Sequence, residues 1–397
     1  MRRIILLNIV FGLLTAGLTP AATRLVPDKY ASIQSAIDDC NDSDVVIVAP
    51  GRYFEMINLK GKNITLRSTE PNDPNVVAAT IIDGGARSTA VVLNNSGVRF
   101  NPMVVTFNSG EGPDCVLNGL TITNGRSGGV YCRDSSPTLM KCTISRNFNG
   151  GGMYNNNGSP TLISCTFLRN SGHIGGGMYS NGGRPTLIKC TFTENSAWEG
   201  GGLAGGEDCR PKLINCIFAR NSAEAHGGTI LAGGARGSVW TVTNCTFVGN
   251  LAGGGGAGIY YGAVGNLTIN NCIFWNNQGI GDVRELWQVS LHGSQIPTIS
   301  YSCIHGLDVL DDSTNGTGNI SEDPLFVDPN NGDYHLRSQA GRWDLKTQKW
   351  VRDDVTSPCV DAGDPNSLIA DEPLPNNGAV NMGAYGGTFE ASKSFSP

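Results

Sequence analysis

Residues 150–277 predict an all-β fold built by stacking one unit on the next, and three observations carry that prediction. One phrase recurs: GGGMYNNNGSPTLISCTFLRN, GGGMYSNGGRPTLIKCTFTEN, GGLAGGEDCRPKLINCIFARN, a looser GGTILAGGARGSVWTVTNCTFVGN, and GAGIYYGAVGNLTINNCIFWNN. The cysteines Cys142, Cys165, Cys190, Cys216, Cys245 and Cys272 fall 23, 25, 26, 29 and 27 residues apart, a period that belongs to stacked supersecondary units. Within each copy, short runs such as Thr161-Leu162-Ile163 and Thr166-Phe167-Leu168 are punctuated by Gly, Asn, Ser and Pro, which are strand and turn signals. No copy holds the long helix-periodic run that an α-solenoid needs. Three strands of about four residues plus three turns fill about 25 residues, one coil of a three-sided parallel β-helix with coils about 4.8 Å apart.

Such stacking predicts columns. Phe167, Phe192, Phe218, Phe247 and Phe274 form an inward aromatic ladder, with Ile144 in the same place one copy earlier. The cysteines, two residues before, form a second inward column of small buried hydrophobes. Asn147, Asn170, Asn195, Asn221, Asn250 and Asn277 follow each cysteine by five residues. They are expected at a tight corner, where Asn tolerates left-handed geometry and its amide bonds the coils above and below. The Gly clusters supply positive φ at another corner.

On these motifs the chain resembles the right-handed parallel β-helix proteins of the pectin-lyase-like fold. Its Cys-x-Phe-x-x-Asn and Gly-Gly-Gly repeats are similar in style to those of bacterial polymorphic outer-membrane and surface proteins. The resemblance is strong over 119–277 and weaker in the flanks. It implies a right-handed solenoid and leaves the activity open, since lyases, hydrolases, adhesins and passive stalks share this fold.

The chain divides into three parts. Residues 1–22 read as a secretory signal: Arg2 and Arg3, an apolar Ile4–Leu14 broken by Asn8 and Gly12, then a cleavage site at Ala21 or Ala22. Residues 23–304 form the solenoid. Its first coil is expected to be covered by a capping helix over about 29–40, because Ile33, Ala36, Ile37 and Cys40 share one helical face. Strands follow at 44–48, 57–59 and 64–66, then a polar loop over 69–80. The opening IQSAID…VVIVAPGRY resembles the first coil of many secreted β-helix proteins. Residues 305–397 are a loop-rich segment expected to close the far end. Within it Asn381–Gly387 resembles the closing segment of large bacterial secreted β-helix proteins.

Bulk composition narrows the partners. Glycine makes up 54 of 397 residues and charged residues 16%, a profile of many corners and few charged helices. A net charge of −6 argues against nucleic acid or an anionic membrane. No stretch after the signal is apolar enough to span a bilayer. Six cysteines off the column or at its end remain. Cys40, Cys115, Cys132, Cys209 and Cys359 are the disulfide candidates of an exported chain, and Cys303 is expected to end the column. No Cys-x-x-Cys pair suggests zinc.

Four groups are candidates for chemistry. His173, Trp198, Glu199, Glu224 and His226 fall at one corner of three consecutive copies. An aromatic beside acids and imidazoles suits a sugar, or a metal held by His173, Glu199 and His226; a solvated polar corner is the alternative. Arg184, Arg210 and Arg236, spaced 26 and 26, form a row that suits an acidic glycan or simple edge ion pairs. Arg169, Glu194 and Arg220 alternate in sign as ordinary cross-strand pairs do. Asp328, Asp333, Asp361 and Asp364 offer oxygen ligands at loop spacing, so calcium is the one cofactor considered, against a plain reading as turns. The Gly-His-Gly turn of the related pectin hydrolases is approached by Ser171–Gly175, but the Asp cluster and Arg-Ile-Lys that accompany it are missing.

These readings converge on a secreted or cell-surface β-helix that binds polysaccharide without catalysis. A polysaccharide lyase or glycoside hydrolase of the same fold is the first alternative, because lyase sites assembled across coils leave little linear trace. A passive structural spacer is the second.

Overall fold

The computed structural model describes residues 21–85, 92–93, 99–100, 103–233, 237–262, 265–279, 288–292, 297–306 and 316–395. Of the expected signal only Ala21 and Ala22 fall within them, and Arg236 lies outside the described residues.

Alternating short strands form three walls of a parallel solenoid, because each wall buries its inward residues against the other two. Eleven strands make the first wall, from Thr23–Val26 to Thr298–Ser300. Ten make the second, from Gly51–Tyr53 to Cys303–Ile304, and nine make the third, from Ile57–Asn58 to Val289–Leu291. Every wall pairing is parallel and stacks one copy on the next: Thr161 on Thr186, Phe167 on Phe192, Met178 on Leu203.

The expected columns are present. The rings of Phe167, Phe192, Phe218, Phe247 and Phe274 stack with centroids 4.4, 4.9, 5.0 and 4.5 Å apart, and all are buried. Ile144 pairs with Phe167. Close coil approach dictates the glycines: a Cβ on Gly177 would sit 2.4 Å from the Gly202 carbonyl oxygen and 2.6 Å from the Phe192 ring.

Asparagine builds a continuous buried ladder. The Asn170 side-chain oxygen accepts both the backbone N–H (3.1 Å) and the side-chain N–H (3.0 Å) of Asn147. Asn195, Asn221, Asn250 and Asn277 repeat this arrangement. Gly125 donates into the first rung and Gln288 accepts from the last. The expected left-handed corner belongs to the preceding residue: Arg169, Glu194 and Arg220 have φ of 53°, 55° and 53°. The asparagine side chain is thereby free to point inward and take up the main-chain groups that the corner leaves unpaired.

All twelve cysteines are free and buried. Column thiols other than Cys245 donate to carbonyls one coil back, as Cys165 does to Leu139 at 3.4 Å. The five off-register cysteines are unpaired too, against the disulfide expectation. Cys40 donates to Ala36 and Cys132 to Ser135. Cys303 does not end the column. It pairs with Ile273, while the preceding Ser302 accepts from the Cys272 amide, so Ser302 stands at the thiol position.

The N-terminal helix is shorter than expected, Ile33–Asp38, because Ser32 caps it with Ser35 as the reciprocal partner. The Glu55 carboxylate takes the free amides of Ile33 and Gln34. Ile33, Ala36 and Ile37 are buried against the strands Thr23–Val26, Val45–Val48 and Ile57–Asn58. The expected polar loop 69–80 contains a second helix, Pro74–Ala79, started by the Asp73 cap and Pro74 in the first turn.

The start of the C-terminal segment still belongs to the last coil, since Ile320 bridges Cys303. From Pro324 onward the segment does not sit on the open end. It runs back along the outer face of the second wall. Phe326, Tyr334, Leu336, Cys359 and Met382 share an apolar cluster with Ala219, Val248, Ile273 and Cys303. Polar contacts fix the register: Asn215 Nδ2 donates to the Ala384 and Gly386 carbonyls, and Gly383 N–H to the Asn271 carbonyl.

Candidate functional site

Between the second and third walls, five coils carry one more strand. Ser171–Ile174, Ser196–Glu199, Ser222–Ala223, Leu251–Ala252 and Gln278–Gly279 form a fourth, narrow parallel sheet. The expected polar corner is therefore a strand surface, and its side chains alternate as strand residues do.

This alternation shapes a groove of about 750 Å³. Gly172, Ala197 and Ala223 stack as a floor of small side chains. Ser171, Ser196, Ser222 and Leu251 line one side, and His173, Trp198, Glu224 and Gly253 the other. Lining residues come from four successive coils, so the groove runs about 14 Å along the axis. Trp198 is 50% exposed, its indole standing between the exposed side chains of His173 and Glu224.

The other members of that expected cluster separate from it. Glu199 pairs with Ile174 beyond the groove. His226 turns toward the third wall and stacks on Tyr260 at 4.5 Å, with His292 following at 5.0 Å. The His173–Glu199–His226 metal reading thus fails because the three are not brought together. No group of three or more His, Cys, Asp or Glu side chains converges on one point among the described residues.

Arg184 and Arg210 are exposed and stack one coil apart, at the corner between the third and first walls. That is a different edge from the groove. Arg169 and Glu194 pair at 2.6 Å as expected. Arg220 instead gives its best bonds to the Pro329 and Asn330 carbonyls at 2.9 and 2.7 Å, holding the C-terminal segment to the wall.

Three of the four loop aspartates are occupied as turn or ion-pair groups. Asp328 accepts from Asn331, and Asp364 from Asn366 and Asn270. Asp333 accepts from His335, whose other ring nitrogen lies 3.2 Å from Glu390. Burial opposes charge on His335, but Asp333 and Glu390 outweigh it and raise its pKa. Asp361 alone has both carboxylate oxygens buried without a partner.

Sequence reasoning missed the serine side of the groove and an outward aromatic row on the third wall. Tyr131 lies tilted 5.7 Å from Tyr154, which stacks on Tyr179 at 5.4 Å. The signal was present, since Tyr follows Met in two consecutive GGGMY motifs one period apart.

Comparison with known proteins decides the family. A family model described as right handed beta helix region matches residues 71–254 and 173–315, together more than half of the chain. The chain belongs to this right-handed β-helix family. A model described as disaggregatase related matches residues 299–363, where the last coil passes into the C-terminal segment. No curated protein matches the sequence. Among solved structures, pectate lyase Pel9A aligns over 94% of this chain and 96% of its own at 12% identity and TM-score 0.46. The pectin methylesterase from Aspergillus niger aligns over 74% and 94% at 13% and 0.34. The rice weevil pectin methyl esterase aligns over 76% and 81% at 12% and 0.31. No helix among the described residues of this β-helix protein is long and apolar enough to cross a membrane.

Proposed function

We propose that this β-helix protein is exported through residues 1–22 and binds a polysaccharide, without cleaving it, in the groove over the fourth sheet. The carrying observation is Trp198, half exposed above a floor of Gly172, Ala197 and Ala223. An indole held this way offers an apolar face to the C–H side of a sugar ring, and the serines, His173 and Glu224 supply hydrogen bonds at its rim. The groove is open along the axis, which suits a chain rather than a compact molecule. His173 and Glu224 are both exposed, and no hydrogen bond joins them among the described residues. Both side chains are thus placed to bond a ligand at the rim.

The test is a pull-down of the mature protein against acidic and neutral polysaccharides, with absorbance monitored for unsaturated sugar products. At least one polysaccharide should bind, with no product formed. Trp198→Ala should abolish binding and leave the thermal midpoint nearly unchanged, because an exposed side chain contributes little to stability. Binding in the groove should resist salt. Binding at Arg184 and Arg210 would weaken with salt, since exposed charges are screened over about 8–10 Å. Undiminished binding in Trp198→Ala would move the site off the groove, and product accumulation would make the protein a lyase.

A further inference from the structure

Three carboxylate oxygens are buried without a hydrogen-bond partner among the described residues: Asp361 Oδ1, Asp361 Oδ2 and Glu372 Oε2. Asp361 and Glu372 are linked through Asn381. The Asp361 amide donates to Asn381 Oδ1 at 2.8 Å, and the Asn381 amide donates to Glu372 Oε1 at 2.8 Å. Gly387 N–H also donates to Glu372 Oε1, at 2.7 Å. Glu372 is only 7% exposed. Buried carboxylates without partners are costly, and a folded chain meets that cost with a proton or a cation.

A proton alone does not complete this arrangement. In its acid form Glu372 supplies one O–H. One such donor leaves at least one oxygen of Asp361 unserved. We infer that Asp361 and Glu372 form a divalent-cation site, with calcium as the fitting ion. The free donors are all hard carboxylate oxygens, with no imidazole or thiolate among them, which selects against zinc and copper. Calcium accepts irregular, partly bidentate carboxylate sets completed by carbonyls and water, whereas magnesium demands near-ideal octahedral geometry.

The location gives the ion a task. Asp361 and Glu372 come from two different loops of the C-terminal segment, joined by the Gly363 N–H to Val380 carbonyl bond. Between them, Asn381–Ala384 docks on the wall through Asn244, Asn271 and Thr246. A bound cation would staple those loops together and fix the segment on the second wall. This pairing differs from the linear Asp361-Ala-Gly-Asp364 loop, since Asp364 is already engaged by Asn270 and Asn366.

Isothermal titration of the full mature chain, stripped with EDTA, against CaCl2 and MgCl2 tests the site. One calcium per chain should bind, more tightly than magnesium. Asp361→Asn and Glu372→Gln should each weaken calcium binding by about 10–100-fold, while Asp364→Asn and the groove variant Trp198→Ala retain it. Circular dichroism and tryptophan fluorescence report whether each variant is folded. Should Glu372→Gln fail to fold, Asp361→Asn carries the test alone. Absence of millimolar calcium binding, or full affinity in a folded Asp361→Asn protein, would overturn the assignment. Calcium binding that survives Trp198→Ala separates this site from the polysaccharide reading, whichever way that reading falls.

Discussion

Asn195→Ala removes the centre of the asparagine ladder, and its cost follows from the bonds. Asn195 Oδ1 accepts the Asn170 backbone and side-chain N–H groups, both at 3.0 Å. Asn195 Nδ2 donates to the Phe167 carbonyl and to Asn221 Oδ1, both at 2.9 Å. Each net bond is worth about 1 kcal/mol, so four lost bonds cost about 4 kcal/mol, and leaving the buried Asn170 amide unpaired adds to that. Asn195→Asp should be worse at neutral pH. It keeps the acceptor but replaces the donor with a charged oxygen facing two other oxygens. Stacked repeats unfold in parts, so a urea midpoint is a secondary readout. The deciding one is hydrogen exchange at the Asn170 amide, which should lose its protection in Asn195→Ala. A loss below about 1 kcal/mol, the worth of one bond, with unchanged exchange at Asn170, would refute the ladder as a source of stability.

The remaining expectations concern the core, the thiols and pH. Phe192→Ala should destabilise by about 3–5 kcal/mol, because its ring is buried between Phe167 and Phe218; a smaller effect by calorimetry would mean that the coils collapse into the gap. Native alkylation followed by mass spectrometry should find the column thiols protected. With glutathione disulfide, Cys303 and Cys359 should be the pair that closes, since both lie in the apolar cluster under the C-terminal segment; disulfides between column neighbours, whose side chains run parallel, would contradict the packing. The pKa of His335 is raised in the fold, so its contribution is fully present below the free-histidine value near 6.5 and is lost as pH rises through the folded value. Burial opposes the charge on Asp333, but the His335 bonds prevail and lower its pKa. Its contribution is present above about 3.8 and fades as pH falls. Docking of the C-terminal segment, followed by tryptophan fluorescence of Trp343 and Trp350, should therefore weaken above neutral pH. His335→Gln should lose the part of that pH dependence owed to the imidazole, and an identical profile in the variant would assign it elsewhere.

The repeating part of this protein was legible because a solenoid writes its contacts at a fixed spacing. A residue and the one about 25 positions later touch, so Phe167, Phe192 and Phe218 announce a ladder in the sequence itself. The free column thiols followed from the same register. Trp198 and His173 were legible as neighbours for that reason, although the strand beneath them was not, since Ser-Gly-His-Ile and Ser-Ala-Trp-Glu show no apolar alternation. His226 left the group because its side chain turns from the corner toward Tyr260, a rotation no spacing encodes. Where the period ends, so does the sequence record. Asn215 bonds Ala384 across 169 residues, and nothing in a linear pattern places a loop-rich segment along a wall instead of on an end. The same holds for the carboxylates: proximity in sequence suggested Asp361 with Asp364, whereas folding engaged Asp364 with Asn366 and the distant Asn270 and left Asp361 linked to Glu372 through Asn381. Periodic neighbours are thus determined by the sequence alone, because one rise per coil maps position to contact. Aperiodic neighbours were decided only by the tertiary structure, where burial of apolar surface and pairing of main-chain groups choose among many docking arrangements of similar local cost.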